Sequence, residues 1–251
     1  MRRLFQLALL LLLAVPARAQ TFVNIGQADG AAAAASIATP GISHTAGNWL
    51  VAFIYWEVDT GTVTGVTNTA GDTWTQVSGA LTRYEAPYGG SVDVWTVAST
   101  NGNASDVVTA AFSPNQASRA IFVAQYSSSN GLPASPEAGT IKEGQATGTS
   151  VTSASLSPAA SGNLNVSLLS ADVPSGAWTK DANYVQRGTT GVHNAYQDRI
   201  GAPSGAQTAG GTFSPSDELG VLVMSFIPTA AAGATSKLAG GAKLGGTAKV
   251  Q

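Results

Sequence analysis

The chain has no cysteine. An oxidising compartment can therefore add nothing to its stability through disulfides, and the fold must rest on its core alone. Charge is scarce as well, with Asp, Glu, Lys and Arg at 10 % of the 251 residues against roughly 25 % in an ordinary soluble domain. Ser, Thr, Asn, Gln and Gly must cover the surface instead. Histidine occurs only at His44 and His193, which leaves a hydrolytic triad or a zinc site few ways to assemble. Neither lies in HExxH, GxSxG or a similar motif. No stretch sustains a helical period, and no apolar run beyond the N-terminal segment approaches the roughly 20 residues of a membrane helix.

What is present begins with Arg2 and Arg3, an apolar run from Leu4 to Val15, then Pro16 and Ala17-Arg18-Ala19. A basic start, a core too short to span a bilayer and a small-x-small site predict a secretory signal peptide over residues 1–19, cleaved after Ala19. Without its three arginines the chain keeps nine basic residues against fourteen acidic ones, a net charge of −5. Three of those nine are the tail lysines, so residues 20–228 carry a net of −8. Phosphate neutralisation needs a basic stripe that this acidic body lacks, which argues against nucleic acid as a partner.

Short runs rich in β-branched and aromatic residues, bounded by Gly, Asn, Pro and Ser, predict strands. They fall at 49–58, 73–77, 92–98, 107–112, 120–126, 164–170 and 220–227. In the sixth, Leu164, Val166 and Leu168 share one face and Asn165 and Ser167 the other, as the two-residue period requires. The alanines 31–35 form too short a run for helix propensity to decide and are read as strand. Strands with no intervening helices indicate an all-β sandwich. An internal echo accompanies them: "FSP" recurs at 112–114 and 213–215, "GNWLVAFI" from Gly47 matches "GNLNVSLL" from Gly162, and "DTWTQV" at Asp72 matches "GAWTKD" at Gly176. A loop over 127–150 is expected to join two halves of about 100 residues each, the size of an Ig-like unit or of half a jelly roll.

The segments "HTAGNWLVAFIYWE" (44–57), "VTGVTNTAGDTWTQV" (63–77), "VDVWTVAS" (92–99), "RAIFVAQYS" (119–127) and "QDRI" (197–200) resemble a widespread set of secreted bacterial modules of unassigned function. The resemblance covers about 21–228 and implies a single antiparallel jelly-roll-like β-sandwich over residues 20–228. It brings no catalytic residues. At the turn where the family shows Asp this chain has Asn68, and where Asn is commoner it has Asp72, so no metal role is carried over.

Each candidate residue has an ordinary reading beside its chemical one. His44 and His193 read as turn or surface histidines. His193, Tyr196 and Arg199 are residue types a polysaccharide lyase uses, but in a strand His193 and Tyr196 point to opposite faces. Asp198 and Arg199 read as an ion pair or a clamp on loop backbone. Glu57 with Asp59 shares a strand face and reads as a solvated strand end rather than a calcium site; Asp217-Glu218 is a second acidic pair. Tyr84 and Tyr88 lie in the turn-rich "RYEAPYGG" beside Arg83 and Glu85. Flat aromatic faces with polar neighbours suit sugar rings, so these four residues are the candidate glycan-binding set.

After Pro228 comes a small-residue linker, 229–236, and then the tail 237–251, in which Lys237-Leu238, Lys243-Leu244 and Lys249-Val250 recur at a step of six. Two copies and a fragment cannot build a solenoid. The tail reads either as a disordered basic appendage or as a segment that pairs with a sheet edge, its own or a neighbour's, because in an extended chain Leu238, Leu244 and Val250 share one face and Lys237, Lys243 and Lys249 the other. The sequence thus points to a secreted, non-catalytic surface, matrix or adhesion component that needs no cofactor or metal and self-associates through its tail. A carbohydrate-binding module recognising extracellular glycan is the alternative, and a polysaccharide lyase or other glycan-active enzyme the third reading.

Overall fold

The computed structural model describes residues 20–58, 60–84, 90–128, 131–172, 176–191 and 194–228. The expected leader, Asp59, Glu85, Tyr88, His193 and the tail from 229 onward lie outside them. Among the described residues the chain is all-β, without helix. In the N-terminal half the strands are β1 (Gln20–Gly30), β2 (Ala34–Ala38), β3 (Ile42–His44), β4 (Trp49–Trp56), β5 (Thr62–Asn68), β6 (Thr75–Gln76), β7 (Thr82–Arg83), β8 (Ser91–Val97), β9 (Asn103–Asp106), β10 (Val108–Gln116) and β11 (Arg119–Ser128). The C-terminal half adds β12 (Lys142–Thr152), β13 (Asn163–Ala171), β14 (Ala177–Lys180), β15 (Val185–Thr190), β16 (Asn194–Ala202) and β17 (Gly210–Phe226).

All pairings are antiparallel, and two large sheets dominate, ordered β1-β11-β4-β8-β6 and β12-β17-β13-β16-β15. The two orders correspond position by position. Corresponding strands also begin alike, because Gly47 and Gly162 both take left-handed φ, 82° and 83°, just before β4 and β13. Trp49 lies opposite Tyr126 as Leu164 lies opposite Phe226. The chain is therefore two similar units, and the Ser-Pro of each "FSP" is cis. One proposed match fails: β14 pairs with β17, the place that β5 holds on β10, whereas the counterpart of β6 is β15. Trp74 and Trp178 agree in residue type but not in position.

The large sheets pack face to face. Trp49, Val51, Phe53 and Tyr55 of β4 meet Leu164, Val166 and Leu168 of β13 in one buried cluster, with Phe122, Tyr126, Tyr196, Leu222 and Phe226. Leu50, Ala52, Ile54 and Trp56 point the other way, onto the small sheet β2-β10-β5. On the far side of β13, Leu169 and Ala171 pack with Leu156, Trp178, Tyr184 and Phe213. Each large sheet is thus covered on both faces, which explains why all eight residues of β4 are buried and why its sequence is one continuous apolar run. The polar face of β13 is buried as well: Asn165 is fully buried and donates to Gln207 Oε1 at 3.1 Å.

The expected joining loop is corrected too, because β12 occupies 142–152 and pairs along β17. Its residues alternate half-buried and exposed without an apolar face, so hydrophobic pattern gives no sign of it. The alanine run is strand only from Ala34 on.

Phe53 joins the units directly, its ring centroid 5.5 Å from that of Tyr196. Phe53→Ala is expected to cost about 3–5 kcal/mol and to lower a single unfolding transition. Calorimetry showing two transitions, only one of them moved by the variant, would mean that the units fold independently.

Candidate functional site

Of the glycan-binding set the structure describes Arg83 and Tyr84, while Glu85 and Tyr88 lie outside the described residues. β7 pairs with β8, Thr82 opposite Val92 and Arg83 opposite Ser91, so the alternation turns Thr82 and Tyr84 inward and Arg83 outward. Tyr84 is 3 % exposed and belongs to the cluster between the large sheets. Burial pushes its hydroxyl pKa far up. Its ring fills the space above Gly220, where a Cβ would fall 2.6 Å from Cζ. Arg83 holds local backbone, donating to Gly61 O at 2.6 Å.

Asp198 and Arg199 do not pair with each other, because adjacent strand residues face opposite ways. Asp198 is fully buried and takes Arg187 Nε on both oxygens, each at 3.0 Å, and the Tyr126 hydroxyl at 2.7 Å. Tyr126 and Tyr196 share a hydroxyl contact of 2.8 Å, and the Arg187 guanidinium lies 4.2 Å from the Phe22 ring centre. Burial raises the Asp198 pKa and the Arg187 contact opposes the rise. This clasp joins the units, Phe22 and Tyr126 from the first and the other three from the second. Arg199 instead reaches Gln207 Oε1 at 3.3 Å. Of the three residue types read for a lyase, Tyr196 is fully buried in the clasp and His193 lies outside the described residues.

His44 is neither a turn nor a surface residue. It is 4 % exposed in β3, with Nδ1 donating to Asp106 Oδ2 at 2.9 Å. Desolvation lowers its pKa despite the neighbouring carboxylate, so the ring is neutral at pH 7. Asp106 feels burial pushing its pKa up, but hydrogen bonds from Thr69, Asn68 and Ala70 outweigh it and hold the carboxyl below its usual range. Asn68 also donates to Asp72 Oδ2 at 2.7 Å, and Thr100 joins the same oxygen at 2.6 Å. The Asn68–Asp72 turn is tied down by its own side chains. No group of three or more His, Asp or Glu among the described residues is placed to hold a metal ion.

Acidic side chains gather where the units meet at the ends of β4 and β13. Asp172 has its pKa pushed up to about 6, first by burial and then by Glu57, which shares a hydrogen bond with it, and by Asp217 and Glu218. Glu57, read as half of a solvated pair with Asp59, thus faces the other unit.

Among the open features of the described residues is a groove of about 350 Å³ between residues 79–82 of the first unit and β12 of the second. Gly79, Leu81, Thr82, Ile141, Lys142 and Glu143 line its sides. Leu81 is 38 % exposed there, one of the few large apolar side chains at the surface. Among the described residues β12 pairs only with β17 and forms the margin of its sheet. The groove's lining mixes Leu81 and Ile141 with Thr82, Lys142 and Glu143, and the Ala154 N–H already donates to the Glu143 carbonyl of β12 at 2.8 Å, so a segment lying there would meet mainly side chains. The sequence reading named the tail as a strand seeking an edge but could not say which edge.

No protein family, curated protein or solved structure matches the chain. Among the described residues no helix is long and apolar enough to cross a membrane.

Gly220→Ala is expected to cost about 1–3 kcal/mol through overpacking, and Tyr84→Ala in the same chain should recover part of that loss. Additive costs in chemical denaturation would show that the two side chains do not collide. A second expectation concerns pH. The Asp172 carboxyl keeps its proton to about 6 in the fold, whereas the unfolded chain releases it near its ordinary value of about 4. The unfolded state therefore binds fewer protons between those values, and stability falls as pH rises through the window. Asp172→Asn should flatten that fall and raise Tm above pH 6; parallel Tm profiles for both proteins from pH 4 to 7 would contradict it.

Proposed function

We propose that this protein is an exported, non-catalytic β-sandwich component of an extracellular surface or matrix, and that its C-terminal lysine and glycine tail mediates association between chains. The observation that carries the reading is the groove at the margin of β12, which sets Leu81 and Ile141 beside Thr82, Lys142 and Glu143. The tail supplies what such a margin takes up, an extended segment with Leu238, Leu244 and Val250 on one face. Its three lysines meet a body of net charge −8, an attraction that salt screens. Burial of Tyr196 and Asp198 in the clasp supports the non-catalytic part, and the interior position of Tyr84 weakens glycan binding as an alternative. The jelly-roll-like winding that the resemblance implies for a single sandwich over residues 20–228 is kept as a proposal.

Light scattering on residues 20–251 and 20–228 tests the association. At low salt the longer chain should gain apparent mass as concentration rises, the shorter should stay monomeric, and salt should reverse the gain. Equal monomeric mass for both at every concentration would end the proposal.

A further inference from the structure

We infer that His44 is an acid-operated latch. With its ring neutral it holds the ribbon of β3 and β9 onto the first unit, and in mild acid its protonation lets that ribbon lift while the large sheets stay paired. The device is independent of the association proposed above.

The ribbon has little of its own to hold it. Among the described residues β3 and β9 pair only with each other, Ile42 opposite Asp106 and His44 opposite Asn103, and a lone two-stranded ribbon is marginal in water. Its attachment comes from side chains. Ile42 packs against the second apolar cluster, in the space that Gly26 of β1 leaves by lacking a Cβ, and Asn24 donates to the Ser43 carbonyl at 2.6 Å. The third attachment is the Asp106 carboxylate. Its Oδ2 accepts His44 Nδ1–H at 2.9 Å and Asn68 Nδ2–H at 2.7 Å, and its Oδ1 accepts the Thr69 hydroxyl at 2.7 Å and the Ala70 amide at 2.9 Å. One carboxylate thus ties β3, β9 and the turn after β5.

His44 makes this knot sensitive to acid. The His44 and Asp106 side chains are both fully buried. Nδ1 already carries the hydrogen given to Asp106, so a second proton must go to Nε2, which is buried and meets no hydrogen-bond partner among the described residues. A cationic N–H without an acceptor is costly in such a place. The charged groups that bear on the ring are Asp106 from β9 and Asp72 from the turn after β5. Both favour the charged ring, yet burial outweighs them and holds the His44 pKa below its ordinary value. A ring released to water regains that value, about 6.5. The lifted ribbon therefore binds a proton that the seated ribbon excludes, and each unit of pH below that value favours lifting by up to about tenfold. Lifting withdraws Ile42 from the second apolar cluster and frees the 68–72 turn. Asp172 moves global stability in the opposite direction between about 4 and 6, so a melting curve mixes the two effects and the ribbon must be followed locally.

Amide exchange on residues 20–251 at pH 7 and pH 5, corrected for the intrinsic pH dependence of exchange, follows it. Protection at Ile42–His44 and Asn103–Asp106 should fall by about tenfold or more, while protection in β4 and β11 holds. His44→Asn keeps a donor toward Asp106 and removes the titration, so its ribbon protection should stay level across the same range. The imidazole nitrogen spectrum, assigned with His193→Gln, reports on the native ring without altering His44 and should show an Nδ1–H tautomer that titrates below about 6.5. Ribbon amides unprotected at pH 7, protection unchanged at pH 5, an equal fall in His44→Asn, or a fall shared by β4 and β11 would each overturn the latch. Titration of His44 at or above its ordinary value would overturn it as well, by showing that the seated ring accepts the charge.

Discussion

Burial of both faces of the two large sheets is the constraint on which the rest of the structure depends. β4 and β13 are covered above and below, and every residue of each is buried. Such strands have no solvent face on which to carry charge, and wherever a polar group falls on them it must find a partner inside. The low charge of the chain follows partly from this layering, since most ionisable groups are left to margins, turns and the junction of the units. It also makes the missing disulfides affordable, because the layers supply three apolar clusters.

The clasp of Phe22, Tyr126, Arg187, Tyr196 and Asp198 shows how a charge is tolerated in that interior. Asp198 is buried, yet its oxygens are met by Arg187 and Tyr126, and the Arg187 side chain remains partly exposed. A buried pair of this kind is weak evidence for stability in itself. Its geometric effect is clearer: hydrogen bonds have direction, so the clasp sets the register of one unit against the other where apolar contact alone tolerates sliding.

Legibility in the sequence followed the same division. β4, β8, β11 and β13 were readable because burial on two faces writes a dense apolar run. β1, β12 and β15 were not, because margin strands are held by backbone pairing and alternate exposed with half-buried side chains. The echo at "FSP" and at Gly47 and Gly162 marked real correspondences, since backbone conformation repeats there. Matching Trp74 with Trp178 by type misled, because both fill apolar layers from different strands. Tyr84 looked like a loop residue, and only the two-residue pairing of β7 with β8 turns it inward. His44 looked exposed because its partner, Asp106, lies 62 positions away. The groove was illegible for the same reason, being made by segments that meet only after the units pack.

The duplicated fold has a consequence for symmetry. The two units share a strand order, but one tail follows them in the sequence. On the association proposed above, a segment of one chain received by a different surface of the next is a heterologous contact, whose repetition gives a ring if the rotation between neighbours closes and a filament if it does not.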